Sequence, residues 1–272
     1  MTGTQREATA EAAGSRGRRW ATVATRRFGR RLAITDLTAA VHARTMGDGA
    51  DVVIVPGLAV SAYLYETQER LAALGRVHLL ELPGVAGGRD VPGTPTLRDD
   101  AAAVTEWLRT RLRRPAIVVG HSYGTQVAVR TAAADDTFVA GLVLASPTVD
   151  PRYRSLRRLL WAWRADARTH PEGLVEVNRP QQRRAGLGRV CAMGVSMLAD
   201  APERWLAQVA VPLTVMVGSR DALGTEAWGR RLTDRPNGRY VRVEGGTHTF
   251  PFECPEALVR TVRVDMGKDT EQ

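Results

Sequence analysis

The sequence predicts an α/β fold: a mostly parallel sheet, doubly wound by helices and interrupted by a helical insertion. Three observations predict it. Short, continuously apolar runs recur, such as Asp51–Val55 (DVVIV) and Ala116–Val119 (AIVV), the pattern of strands buried on both faces. Segments with helical spacing separate these runs, the rhythm of a parallel sheet with crossover helices. Between Pro147 and Pro202 the rhythm stops and only helical patterns remain.

Taken in order, residues 1–31 carry eight arginines against Glu7 and Glu11 and show no apolar periodicity. They read as a basic, largely disordered tail. Arg26-Arg27 resembles a twin-arginine export signal, but Arg30, Arg31 and Asp36 charge the stretch that such a signal needs apolar. Thr38–Arg44 reads as a strand and Met46–Gly49 as a tight turn. After strand Asp51–Val55 come a helix over Leu64–Leu74 and a strand over Val77–Leu82, closed by Pro83-Gly84. Thr96–Leu112 is the clearest helix: Leu97, Ala101, Val104, Leu108 and Leu112 share a face, and Thr96 with Asp99 resembles a capping box. Strand Ala116–Val119, helix Thr125–Ala134 and strand Val139–Ala145 follow. Within the insertion, Leu156, Leu159, Leu160 and Trp163 fall on one face of a helix over Tyr153–Arg164. Strands Leu213–Val217 and Tyr240–Val243 and a helix over Pro255–Val264 complete the chain. The implied organisation is a tail over 1–31, a core over 32–147 and 203–272, and a helical cap over 148–202.

Composition narrows the function. The 272 residues are 44% apolar and 25% charged, which suits a globular chain with a sizeable core. The longest apolar run, Val52–Val60, is broken by Pro56 and Gly57 and falls far short of the ~20 residues that span a bilayer. Cys191 and Cys254 are too few for a disulfide scaffold or a cysteine zinc site. Two free thiols in a reducing, cytoplasmic setting are expected. The net charge of +9 suggests nucleic acid, but most of it sits in the tail, so no specific nucleic-acid partner is expected. No glycine-rich nucleotide fingerprint and no clustered ligands appear, so no metal or organic cofactor is expected.

The chemistry concentrates in Gly120-His121-Ser122-Tyr123-Gly124, a G-x-S-x-G sequence between a strand and a helix. That context is what a nucleophile elbow requires. The turn is tight, so the flanking positions must be glycine, and the serine Oγ stands at the positive end of the following helix. A serine needs a base, and the base needs an orienting acid. Of five histidines, His248 follows the last strand, in Gly245-Gly246-Thr247-His248, on the sheet edge that also carries Ser122. His42 and His78 read as satisfied sheet residues, and His121 as leaving the elbow away from the serine. Asp221, after strand and turn in VGSRD, is the expected acid; Asp150 is its rival. The two oxyanion donors are expected from the backbone N–H groups of Tyr123 and of Leu58, in Pro56-Gly57-Leu58-Ala59.

As a set in this order, PGLA, LPGVAG, GHSYG, VGSRD and GGTHTFPFECPEAL resemble the α/β-hydrolase superfamily, in particular its capped esterase, haloperoxidase and C–C hydrolase branch, over about residues 37–265. The resemblance implies an eight-stranded sheet. It also implies a serine hydrolase that cleaves a carboxylic ester or related acyl bond by a Ser122–His248–Asp221 acyl-enzyme mechanism. Trp161, Trp163, Met193 and Met197 would then line a pocket for an apolar small-molecule ester, or merely pack cap on core. The same residues serve relatives that hydrolyse C–C bonds, transfer acyl groups or run cofactor-free biosynthetic steps, and a non-catalytic ligand binder is a further alternative. The family usually has His-Gly where Pro56-Gly57 stands. Glu81 replaces a frequent aspartate, and Glu253 matches a frequent structural glutamate. The absence of an aspartate nucleophile argues against epoxide hydrolase or haloalkane dehalogenase chemistry.

Overall fold

The computed structural model describes residues 33–268; the tail assigned to residues 1–31 lies outside them. Among the described residues seven strands form one sheet: β1 (His42–Met46), β2 (Asp51–Val55), β3 (Arg76–Glu81), β4 (Ala116–His121), β5 (Val139–Ala145), β6 (Leu213–Gly218) and β7 (Gly238–Val243). Their order is β1-β3-β2-β4-β5-β6-β7. Only β1 runs antiparallel, against β3; every other pairing is parallel. The expected eighth strand is not among the described residues.

Apolar runs form the strands because both faces are covered. Along β2, Val53 and Val55 enter one apolar cluster while Val52 and Ile54 enter another. The period of two likewise sends Val118 one way and Ile117 and Val119 the other on β4. The first cluster is closed by α3 (Leu97–Arg111), α4 (Tyr123–Ala134) and α9 (Glu226–Leu232), through Val104, Val127 and Trp228. The second is closed by α2 (Tyr65–Leu71) and α10 (Pro255–Asp265), through Leu71 and Leu258. The winding direction of the sheet reverses between β2 and β4. A crevice at the carboxyl ends of those strands is where such sheets bind ligands.

Most expected elements form with small shifts. Thr96 and Asp99 make the capping box: Thr96 N–H donates to Asp99 Oδ2 at 2.9 Å, and Asp99 N–H donates back to Thr96 Oγ1 at 3.3 Å. One expectation fails. Thr38–Arg44 is not a strand: α1 (Ile34–Ala40) runs through its first half and β1 starts only at His42. Leu37 and Ala40 bury one helical face there, and Thr38 Oγ1 donates to the Ile34 carbonyl at 2.8 Å, a bond only a helix offers.

Between β5 and β6 stand α5 (Leu156–Asp166), α6 (Leu174–Ala185), α7 (Leu187–Leu198) and the short α8 (Pro202–Leu206). Polar ties fix them to the core. Gln181 Oε1 accepts from the N–H groups of Ser61 and Ala62. Arg184 donates to the carbonyls of Ala86 and Gly88. Asp200, 4% exposed, accepts from Gln126 and Arg130 of α4 and from the Trp205 indole. The apolar face expected on α5 is largely unburied. Leu159 and Ala162 point inward, while Leu156, Leu160 and Trp163 stay exposed. Cys191 and Cys254 are both free thiols.

Candidate active site

The elbow forms where sequence places it. Ser122 joins β4 directly to α4 and holds φ +53° and ψ −118°, a region that costs a non-glycine residue free energy. Its neighbours leave no room. A Cβ on Gly120 would lie 2.5 Å from the Gly124 carbonyl oxygen, and one on Gly124 would strike the carbonyl oxygens of Val55 and Pro56. The strain projects Ser122 Oγ over the carboxyl edge of the sheet.

Two further loops meet it there. His248 Nε2 lies 2.9 Å from Ser122 Oγ, and His248 Nδ1 lies 3.0 and 3.1 Å from the two carboxylate oxygens of Asp221. The loops that carry Asp221 and His248 are laced together: Ser219 N–H donates to the Val243 carbonyl and Arg220 N–H to the Gly246 carbonyl, each at 2.9 Å. Asp221 Oδ1 also accepts from the N–H groups of Leu223 and Gly224 at 2.8 Å. Burial alone would raise the Asp221 carboxyl pKa. The His248 charge and these hydrogen bonds outweigh it and hold the group below the ordinary carboxylate range. For His248 the balance runs the other way. Burial would lower the imidazole, but Asp221, with a smaller contribution from Asp166, lifts it above its ordinary value. Asp150 does not take part. It accepts from Arg152 and Thr225 instead. Glu253 braces the base loop by accepting from Thr247 and Thr249.

Leu58 and Tyr123 flank this line. Neither N–H donates to any group among the described residues, whereas the neighbouring Gly57 N–H is engaged by Tyr63 Oη at 2.8 Å. His42 and His78 are sheet residues: His78 bonds Thr45 and Asp51 through its two ring nitrogens, while the exposed His42 bonds Glu81 through Nδ1 alone. The four expected pocket residues separate. Met193 and Met197 are buried against the core, at 2% exposure each; Trp161 and Trp163 are 66% and 36% exposed. Helical spacing placed Trp163 on the apolar stripe of α5 but could not say what that stripe would meet.

Sequence reasoning missed one network. The Tyr63 hydroxyl lies 2.5 Å from His121 Nδ1, and His121 Nε2 lies 2.9 Å from the His248 carbonyl. Complete burial, reinforced by the neighbouring His248 charge, pushes the His121 pKa down to about 3, so the ring is neutral. The carbonyl partner assigns its proton to Nε2. Nδ1 therefore accepts from Tyr63, and the loop holding Gly57 is wired to the backbone of His248. No sequence signal marks this pairing, because Tyr63 and His121 stand 58 residues apart. Behind the elbow, the Tyr123 hydroxyl donates to the buried Asp100 at 2.7 Å. Burial pushes Asp100 up to about 7 even so.

The profile of the alpha/beta hydrolase family matches residues 52–261, more than three quarters of the chain. The chain belongs to the alpha/beta hydrolase family. It is similar to two pimeloyl-[acyl-carrier protein] methyl ester esterases. With that of Nitrosomonas europaea it is 33% identical over 126 residues, which is 46% of this chain and 46% of the relative. With that of Chromobacterium violaceum it is 28% identical over 221 residues, 70% of this chain and 83% of the relative. Among solved structures, a thermophilic esterase from Thermogutta terrifontis superposes with a TM-score of 0.68 at 23% identity, covering 84% of this chain and 93% of that one. The enol-lactonase from Burkholderia xenovorans LB400 superposes with a TM-score of 0.68 at 19% identity, covering 84% and 96%. These structural likenesses carry the fold. Among the described residues of this alpha/beta hydrolase, no helix is long and apolar enough to cross a membrane.

Proposed function

We propose that this alpha/beta hydrolase cleaves carboxylic esters through an acyl-enzyme on Ser122. The observation that carries the reading is the unbroken line Asp221–His248–Ser122, with each hydrogen bond between 2.9 and 3.1 Å. His248 Nε2 takes the hydroxyl proton as Ser122 Oγ attacks the ester carbonyl carbon. Asp221 holds the ring and stabilises the imidazolium. The carbonyl oxygen becomes an oxyanion and receives the free N–H groups of Leu58 and Tyr123. His248 then returns the proton to the departing alcohol, and water, activated by the same ring, releases the acid. Helices α5–α7 act as a cap over the crevice, with Met193 and Met197 on its inner side. The names of the two esterase relatives make a methyl ester of a carrier-bound acyl chain a first substrate to try.

The test is covalent labelling. A fluorophosphonate should add its mass to the peptide holding Ser122, and Ser122→Ala should abolish both labelling and hydrolysis of aryl esters. The turnover loss should be on the order of 10³–10⁶-fold. An unlabelled wild type, or a Ser122→Ala variant with near-normal turnover, would remove the acyl-enzyme.

A further inference from the structure

Asp166 is the last residue of α5, on the inward stripe that begins with Leu159 and Ala162. It is 4% exposed. Its Oδ2 lies 3.2 Å from His170 Nε2, but its Oδ1 is buried with no hydrogen-bond partner. Leaving a carboxylate oxygen dry and unpaired is costly, and buried polar atoms in native proteins nearly always have a hydrogen-bond partner. The segment that follows lies over the base loop. A side chain on Gly173 would meet the Phe252 ring at 4.0 Å, and Leu174 shares an apolar cluster with Phe250. Helix α6 brings a second such atom. Asn178 is 5% exposed and its Oδ1 is also unpartnered. It stands one turn before Gln181, which holds the N–H groups of Ser61 and Ala62 beside the oxyanion loop. One unpaired acceptor thus precedes the segment that packs on the His248 loop, and the other shares a helix with the residue that holds the Ser61–Ala62 loop. No cation among the described residues pairs with Asp166 except the His170 ring.

We infer that the ester this enzyme cleaves carries a hydrogen-bond donor, a hydroxyl, amide N–H or ammonium, which Asp166 Oδ1 receives under the cap with Asn178 as a second contact. The inference rests on the hydrolase reading above and adds the chemical class of substrate. A buried carboxylate attracts a donor and repels an acid, so esters ending in a carboxylate are excluded from the same place. Asp166 adds to the raised proton affinity of His248, which puts the two groups within electrostatic reach of each other.

The experiment compares kcat/KM for the p-nitrophenyl esters of hexanoate, ω-hydroxyhexanoate, ω-ammoniohexanoate and adipate. Wild type should prefer the hydroxyl or ammonium ester to the adipate ester by at least about tenfold, the scale of one charge-assisted hydrogen bond. In Asp166→Asn the ammonium-to-adipate ratio should fall by about that factor. The hydroxyl-to-adipate ratio should fall less, because the amide oxygen still accepts. Asn178→Leu should lower the hydroxyl preference on its own. A wild type that is indifferent or favours adipate overturns the inference, as does an unchanged ratio in Asp166→Asn. If Asp166→Asn does not fold, the wild-type ratios and Asn178→Leu decide. Failure of the hydrolase reading looks different: no ester is turned over and Ser122 resists the fluorophosphonate.

Discussion

His248 can accept the serine proton only when neutral, so kcat/KM should rise with pH as the ring loses its proton. Because Asp221 and Asp166 raise its pKa, the rise should come above the ordinary imidazole value of 6.5. His121, at about 3, adds no limb near neutrality. Asp221→Asn should shift the limb downward and cut turnover by roughly 10⁴-fold, as in triads whose base is left in the wrong tautomer. Asp150→Asn should alter melting temperature more than turnover, since that carboxylate serves Arg152 and Thr225. A pH–rate profile of both variants checks the assignment; a mild Asp221→Asn beside a crippled Asp150→Asn would reverse it. Ser122, Asp221 and His248 were legible in sequence for a shared reason. Each stands just past an apolar run, and strand ends of a parallel sheet converge on one edge. His121 was legible only as a non-base, because its partners come from distant loops. Asp166 carried no signal at all: a carboxylate at a helix end reads as solvent-facing until the packing above it is known.

At the scale of elements, the elbow is the least forgiving. Gly124→Ala forces a methyl into the carbonyls of Val55 and Pro56. It should destabilise the protein and lower kcat together, seen as a drop in melting temperature alongside turnover. The α3 cap is the converse case. Thr96→Ala removes a capping box that makes no hydrogen bond to Ser122, Asp221 or His248, and should cost about 1 kcal/mol in denaturant unfolding with kcat unchanged. The capping box was readable because its partners are three residues apart. The first strand was misplaced because Thr38–Arg44 satisfies both templates over so short a stretch. Burial of Leu37 and Ala40 on one side decided for helix.

For the molecule as a whole, two buried groups oppose each other across the acid range. The folded state keeps Asp100 protonated up to about pH 7, where the unfolded chain would release the proton at its ordinary 3.8. Its contribution to stability is therefore lost as pH rises through that window. His121 stays neutral in the fold down to about 3, where the unfolded chain would take a proton at 6.5. Its contribution is lost as pH falls. Asp100→Asn keeps the acceptor for Tyr123 and removes the buried charge, so its gain in melting temperature should be greater at about pH 8 than at about pH 5. Asp200 ties the end of α7 to the elbow helix α4. Asp200→Ala strands Arg130, whose side chain is 18% exposed, and should cost on the order of 3 kcal/mol. Thermal melts and protease sensitivity of residues 148–202 would register it.

The Gly57–Tyr63–His121–His248 chain has a consequence for anyone who diversifies this enzyme. Position 121 sits inside the elbow motif and invites randomisation as a spare letter, yet its ring speaks to Tyr63 on one side and to the base's own backbone on the other. The two positions should behave as a single locus. Tyr63→Phe and His121→Gln, combined, should cost less in kcat than the product of their separate losses. A library that varies either alone would sample mostly broken circuits, whereas one that varies both can find replacement pairs.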